Sequence, residues 1–171
     1  NSEIFIANMP VAEDLIKYLY KVKFRYLDKE KPINDARYGN GLCSDFELFE
    51  DSSPVIKSLK KNLVDVIETA LGSEIFIFAS FFNILRGVSG TEPHRHLNSF
   101  DIDKSLNLYK RKYSLVYYLS VGDQSCSEPG ILKLYDPSKE ILPSKGKIVI
   151  TSSSREHSSV YNGVRDRVMV G

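Results

Sequence analysis

The spacing of apolar residues changes at Gly72, and that change constrains the fold more than any other feature of the chain. Before it, apolar residues recur at three- and four-residue steps, the period of a helix with one buried face. Val11, Leu15, Tyr18, Leu19, Val22 and Tyr26 predict an amphipathic helix over about 10–28, with Pro10 in the tolerated first turn. A second helix is signalled by a Ser53 cap, Pro54 at the first helical position, apolar Ile56, Leu59, Leu63, Val66, Ile67 and Leu71, and Gly72 as the stop. After Gly72 the segments are short, rich in β-branched and aromatic residues, and separated by Gly, Pro, Ser and Asp clusters. Strands are expected in Glu74 to Arg86, around His94, in Tyr113 to Val121, Ile131 to Tyr135, Lys147 to Thr151, around His157 to Tyr161, and Arg165 to Val170. Helices followed by many short strands predict a mainly β, α+β protein in which helices cover one face of a sandwich or jelly roll. The expectation is a single domain over 1–171, with helical support in 1–73 and the jelly-roll core in 74–171.

The length of 171 residues, with 42% hydrophobic and 26% charged side chains, suits one such domain. The 23 basic and 22 acidic residues nearly cancel, which removes any general electrostatic reason to expect nucleic acid or an anionic membrane as partner. A small-molecule or peptide-like ligand fits better. Cys43 and Cys126 lie far apart without metal-type spacing, so no disulfide framework is expected and the compartment reads as reducing. No apolar run approaches the ~20 residues of a membrane span, and no basic segment followed by an apolar run opens the chain. A soluble, cytoplasmic protein is the expectation.

Only three histidines occur, His94, His96 and His157, all in the β half. Residues two apart in a strand point to one side, so His94 and His96 can present their imidazoles to one point while Arg95 faces away. His157, from a distant strand, can complete a set of three ligands that leaves open positions on a metal. In an arbitrary β protein the blander account, a hydrogen-bonded or surface pair, carries more weight; the flanking sequence shifts the balance. Along Tyr113 to Val121, Ser114, Val116, Tyr118 and Ser120 share a polar face, which suits a ligand cavity better than a dry core and makes Tyr118 a candidate donor to a bound carboxylate. On the last strand Arg165, Arg167 and Met169 share a face, and a planar guanidinium can grip a carboxylate with two parallel hydrogen bonds. Arg167 is the candidate, against the alternative of two surface arginines beside Asp166.

Over roughly 80–170 the chain resembles the Fe(II)- and 2-oxoglutarate-dependent dioxygenases, in particular their prolyl-hydroxylase-like branch. The resemblance runs through His94-x-His96, Leu115-Val116-Tyr117-Tyr118-Leu119, Gly130-Ile131-Leu132-Lys133-Leu134-Tyr135-Asp136-Pro137, Gly146-Lys147-Ile148-Val149-Ile150, His157 and Arg167. It implies a double-stranded β-helix (cupin-like jelly roll) flanked by two or more helices. It also implies Fe(II) on His94 and His157, 2-oxoglutarate with its distal carboxylate on Arg167 and Tyr118, O2 as oxidant, and hydroxylation of an amino-acid, peptidyl or small-metabolite substrate, with no catalytic group beyond the metal ligands. The chain departs from the family in two places. His96 stands where the family has Asp or Glu, and Met169 stands two residues after the arginine where a hydroxyl is common. A neutral third ligand removes one negative charge from the metal; Glu92, Asp101 and Asp103 remain competitors for that position. Residues 98–112 are expected to form a polar loop that can lie over the cavity as a lid, with Lys110-Arg111-Lys112 as a solvated turn. Two alternatives stay open: a cupin-type three-histidine metalloenzyme independent of 2-oxoglutarate, and a non-catalytic jelly-roll binding module.

Overall fold

A computed structural model of the chain describes residues 3–26, 42–44, 46–87, 89–97, 101–105 and 107–171. Its strands are β1 (Ile4–Asn8), β2 (Leu42–Cys43), β3 (Phe82–Leu85), β4 (Ser89–His94), β5 (Tyr113–Ser120), β6 (Leu132–Leu134), β7 (Lys139–Ile141), β8 (Lys147–Ser152), β9 (His157–Tyr161) and β10 (Arg167–Val170). Two α-helices, α1 (Glu13–Tyr26) and α2 (Pro54–Leu71), precede the main run of strands. The strands form a six-stranded sheet in the order β1-β8-β5-β10-β3-β2 and a four-stranded sheet in the order β4-β9-β6-β7. All ladder pairings between these strands are antiparallel. This is a jelly roll with helices on one side, as expected.

Side-chain alternation sorts the two cores. On β5, Tyr117 and Leu119 turn outward with Ile148 and Ile150 of β8 and meet Leu15 and Leu19 of α1 and Ile56, Leu59, Leu63 and Ile67 of α2 in one cluster. Tyr118 and Val149, one residue out of step, turn inward and pack with Leu132, Leu134 and Ile141 of the smaller sheet. The helices therefore seal the back of the large sheet, and the space between the sheets is left for the site. Leu63 is 1% exposed in the helix-to-sheet cluster, so Leu63→Ala should lower unfolding free energy by about 2–5 kcal/mol in chemical denaturation.

Several expectations change at the level of boundaries. The first helix starts at Glu13, after Pro10, and its expected end at 27–28 lies outside the described residues. Ser53 does occupy the N-cap of α2, but its side chain makes no cap bond; its own N–H donates to Asp51 Oδ1 at 2.9 Å. Gly72 closes the helix in the left-handed region (φ 64°), with its N–H on the Glu68 carbonyl. The strand expected over Glu74 to Arg86 is regular only across Phe82–Leu85. Residues 1–73 are not helical support alone, because β1 pairs with β8 along its whole length and β2 extends the far edge. Among the described residues no helix is long and apolar enough to cross a membrane.

Candidate metal and carboxylate site

The mouth of the inter-sheet cavity carries the three histidines. His94, the last residue of β4, lies directly opposite His157, the first of β9, and the ladder between the two strands shifts register between Thr91 and His94. The strand has ended before His96, so the two-residue period does not place it. A bend does, with the His96 N–H held by the Ser153 carbonyl at 3.0 Å. The three rings still converge: their centroids are 4.3–4.9 Å apart, and their ligand nitrogens all lie within 4.8 Å of one another.

Their hydrogen bonds fix which nitrogen faces inward. His94 Nδ1 contacts the Glu92 carbonyl at 2.7 Å and His157 Nδ1 the Arg155 carbonyl at 3.1 Å. A carbonyl only accepts, so each Nδ1 carries a proton, which leaves Nε2 as the ligand nitrogen of the neutral ring. His96 Nε2 is 3.1 Å from His157 Nε2, close to the separation of about 3.0 Å between two imidazole nitrogens bound at right angles with bonds of about 2.1 Å. Burial first, then the neighbouring His157, His94 and Lys112, pushes the His96 pKa down to about 3. Burial and His94 push His157 down to about 4, against a small upward effect of the Arg155 carbonyl. Both rings are thus neutral near pH 7, the form that ligates a metal.

The carboxylates that competed with His96 are placed elsewhere. Asp101 is buried, but its Oδ2 sits 2.6 Å from Lys112 Nζ. Asp103 is exposed and accepts from the Ser105 backbone and hydroxyl. Glu92 is exposed, and its role at the site is its main-chain carbonyl. Among the described residues, the group of titratable side chains able to hold a metal ion is His94, His96 and His157.

Deeper between the sheets lies a buried cation. Arg167 is 1% exposed, with Nη1 3.2 Å from Ser159 Oγ, while its Nε has no partner. Its guanidinium carbon lies 5.1 Å from the centre of the Tyr118 ring, and the Tyr118 hydroxyl is likewise buried without a partner. Burial lowers the arginine pKa and raises that of the tyrosine, each pulled back in part by the other. Gly130 makes room for this arginine: at φ 81° a Cβ there would stand 2.1 Å from Arg167 Nη1. Arg165, the other arginine of the expected pair, is exposed.

One cavity, open to the centre of a water molecule over about 80 Å³, is lined by His94, His96, His157, Tyr118, Arg167 and Met169 together with apolar Leu132, Leu134 and Val149. That is several times what one water needs. Three contributors, two of them polar, carry no assigned role in the sequence reading. Ser159 braces the arginine, Gly130 admits it, and Asn83 of β3 lines the cavity with a buried Oδ1 that lacks a partner. Asn83 had a readable signal, since it is the single amide in a strand otherwise built of Phe, Ile and Leu. Of the expected lid over 98–112, residues 98–100 and 106 lie outside the described residues; Leu108–Lys110 forms a short 3-10 turn, and the Lys110-Arg111-Lys112 run is solvated only at its first two residues.

No family model and no curated protein matches the chain by sequence. Solved structures match it closely in shape. A Pseudomonas putida prolyl-4-hydroxylase superposes with TM-score 0.67 over 99% of this chain and 91% of its own, at 16% identity. A Trichoplax adhaerens prolyl hydroxylase, solved with a hypoxia inducible factor oxygen degradation domain peptide fragment, gives TM-score 0.70 over 99% and 82%, at 15% identity. A viral collagen prolyl hydroxylase from Paramecium Bursaria Chlorella virus-1, solved with 2-oxoglutarate, gives 0.67 over 98% and 92%, at 13% identity. The fold is the double-stranded β-helix of the 2-oxoglutarate and Fe(II) oxygenases. The likeness spans nearly the whole chain, helices and β1 included, so it extends the sequence resemblance beyond residues 80–170.

Proposed function

We propose that the chain is a non-haem Fe(II)- and 2-oxoglutarate-dependent oxygenase, a hydroxylase of an amino-acid, peptidyl or small-metabolite substrate. The observation that carries this reading is the buried Arg167 guanidinium, which among the described residues meets no carboxylate and whose Nε has no partner. An isolated buried cation is costly, and it is retained where a ligand brings the missing anion. Tyr118, equally unpaired, adds a donor beside it. The three imidazoles stand at the mouth of the same cavity. This geometry suits a molecule with an anionic tail at one end and a metal-chelating head at the other, which 2-oxoglutarate has.

In this reading His94, His96 and His157 hold Fe(II), with the Glu92 and Arg155 carbonyls fixing the tautomers of the first and last. Iron bound there supplies oxygen activation, driven by oxidative decarboxylation of 2-oxoglutarate to succinate and carbon dioxide and delivered as hydroxylation of a substrate C–H bond. Arg167 and Tyr118 bind and orient the distal carboxylate, and Leu132, Leu134 and Val149 keep water from the cavity walls. The peptide held by the Trichoplax neighbour is a precedent for a peptidyl substrate. The all-histidine set favours one other reading, a cupin-type metalloenzyme that works without 2-oxoglutarate; the unpaired arginine has no role in it.

The test is anaerobic titration of the folded protein with Fe(II) and 2-oxoglutarate. A weak visible chelate band at one equivalent is expected, and its absence overturns the reading. Gly130→Ala should raise the dissociation constant for 2-oxoglutarate about tenfold and cost about 1–3 kcal/mol of stability, because its methyl group strains the backbone and displaces the guanidinium. Metal affinity measured by calorimetry should stay within about twofold in that variant, since no ligand moves.

A further inference from the structure

Among the described residues no Asp or Glu lines the cavity, whereas one arginine and three histidines do. Asp101, the buried carboxylate among those considered above, is neutralised by Lys112 at 2.6 Å. Imidazoles ligate a metal as neutral groups, so a divalent metal held by the three would bring the cavity, with Arg167, to three positive charges with no lining carboxylate facing them. A site with a carboxylate in place of His96 would carry one fewer. Charges of opposite sign between low-dielectric walls attract more strongly than in bulk water, so here neither metal nor anion is well served without the other.

Resting on the functional reading above, we propose that the metal and a dianionic chelator load this cavity as a strongly cooperative pair, and that His96 sets the strength of the coupling. Arg167 contributes from the far end by demanding the second negative charge. The coupling is reciprocal: 2-oxoglutarate must tighten the metal by the same factor as the metal tightens 2-oxoglutarate. A cavity of this kind holds little metal in the absence of the keto acid. It discriminates against a monoanionic 2-oxo acid of similar length, because that ligand leaves Arg167 unpaired.

The experiment is calorimetric titration of the whole chain with Mn(II), without and with saturating 2-oxoglutarate, and with monoanionic 2-oxovalerate in its place. A tightening of about a hundredfold is expected with 2-oxoglutarate, and at least tenfold less with 2-oxovalerate. In His96→Asp, Mn(II) alone should bind more tightly than to the native chain, and the coupling factor should fall at least tenfold. Equal coupling in the native chain and in His96→Asp, or equal coupling by the two keto acids, overturns the proposal. If His96→Asp does not fold, the same titrations on His96→Glu decide. The functional reading fails differently, by Mn(II) binding with no detectable 2-oxoglutarate binding at all.

Discussion

Arg167→Met is expected to raise the thermal stability of the ligand-free protein while removing 2-oxoglutarate binding. The two effects have one cause. In the native chain the guanidinium is 1% exposed, braced by the Ser159 hydroxyl, and left with a free Nε. Methionine keeps much of the length and removes the uncompensated charge, so the folded state gains about 1 kcal/mol or more. Ligand binding loses the charge-assisted contacts to the distal carboxylate, a cost of about 2–5 kcal/mol, or about thirty- to several-thousandfold in affinity. Differential scanning calorimetry and ligand titration on the same preparation separate the two. A structural arginine behaves in the opposite way: its loss lowers the melting temperature as a core truncation does and leaves 2-oxoglutarate binding as it was.

The sequence carried those features that depend on local periodicity. The extent of α2 followed from Pro54, the apolar spacing and Gly72, all within one segment. The inward face of β5 follows from strict alternation, which makes Tyr118 the cavity candidate; that Tyr117 packs against the helices comes from the structure. Features created by distant chain segments were less legible. β1 is five residues long with a mixed burial pattern, and it exists because β8, about 140 residues away, offers an edge. His96 was chosen by strand geometry, but the strand ends at His94, and a main-chain bond to Ser153 turns the ring inward. The ring converges on His94 and His157 all the same, from a bend and not from a pleat. Gly130 and Ser159 meet at the same guanidinium nitrogen, with the Ser159 hydroxyl donating to the Gly130 carbonyl at 3.2 Å, and neither has a neighbour in sequence that announces it.

Alanine at His157 should abolish stoichiometric metal binding without unfolding the chain. The ring occupies the first position of β9, where it is half-buried, and its backbone pairing with His94 and Leu134 does not depend on the imidazole. What disappears is one of three lone pairs, together with the 3.1 Å partner of His96. Loss of an outer-shell partner alone commonly weakens metal affinity by about 10–100-fold, so loss of a direct ligand should exceed about a hundredfold. The readout is metal-dependent thermal stability. A metal at a hundredfold excess over its dissociation constant stabilises the native chain by about 2.7 kcal/mol, and the same concentration should leave His157→Ala nearly unmoved. His94→Ala should behave alike. Glu92→Gln and Asp103→Asn supply the contrast, because both side chains are exposed and lie outside the histidine cluster. They should retain the full metal-induced shift. Loss of that shift in either carboxylate variant, with retention in His157→Ala, would transfer the metal from the imidazoles to the acidic side chains and leave the buried arginine without its chelating counterpart.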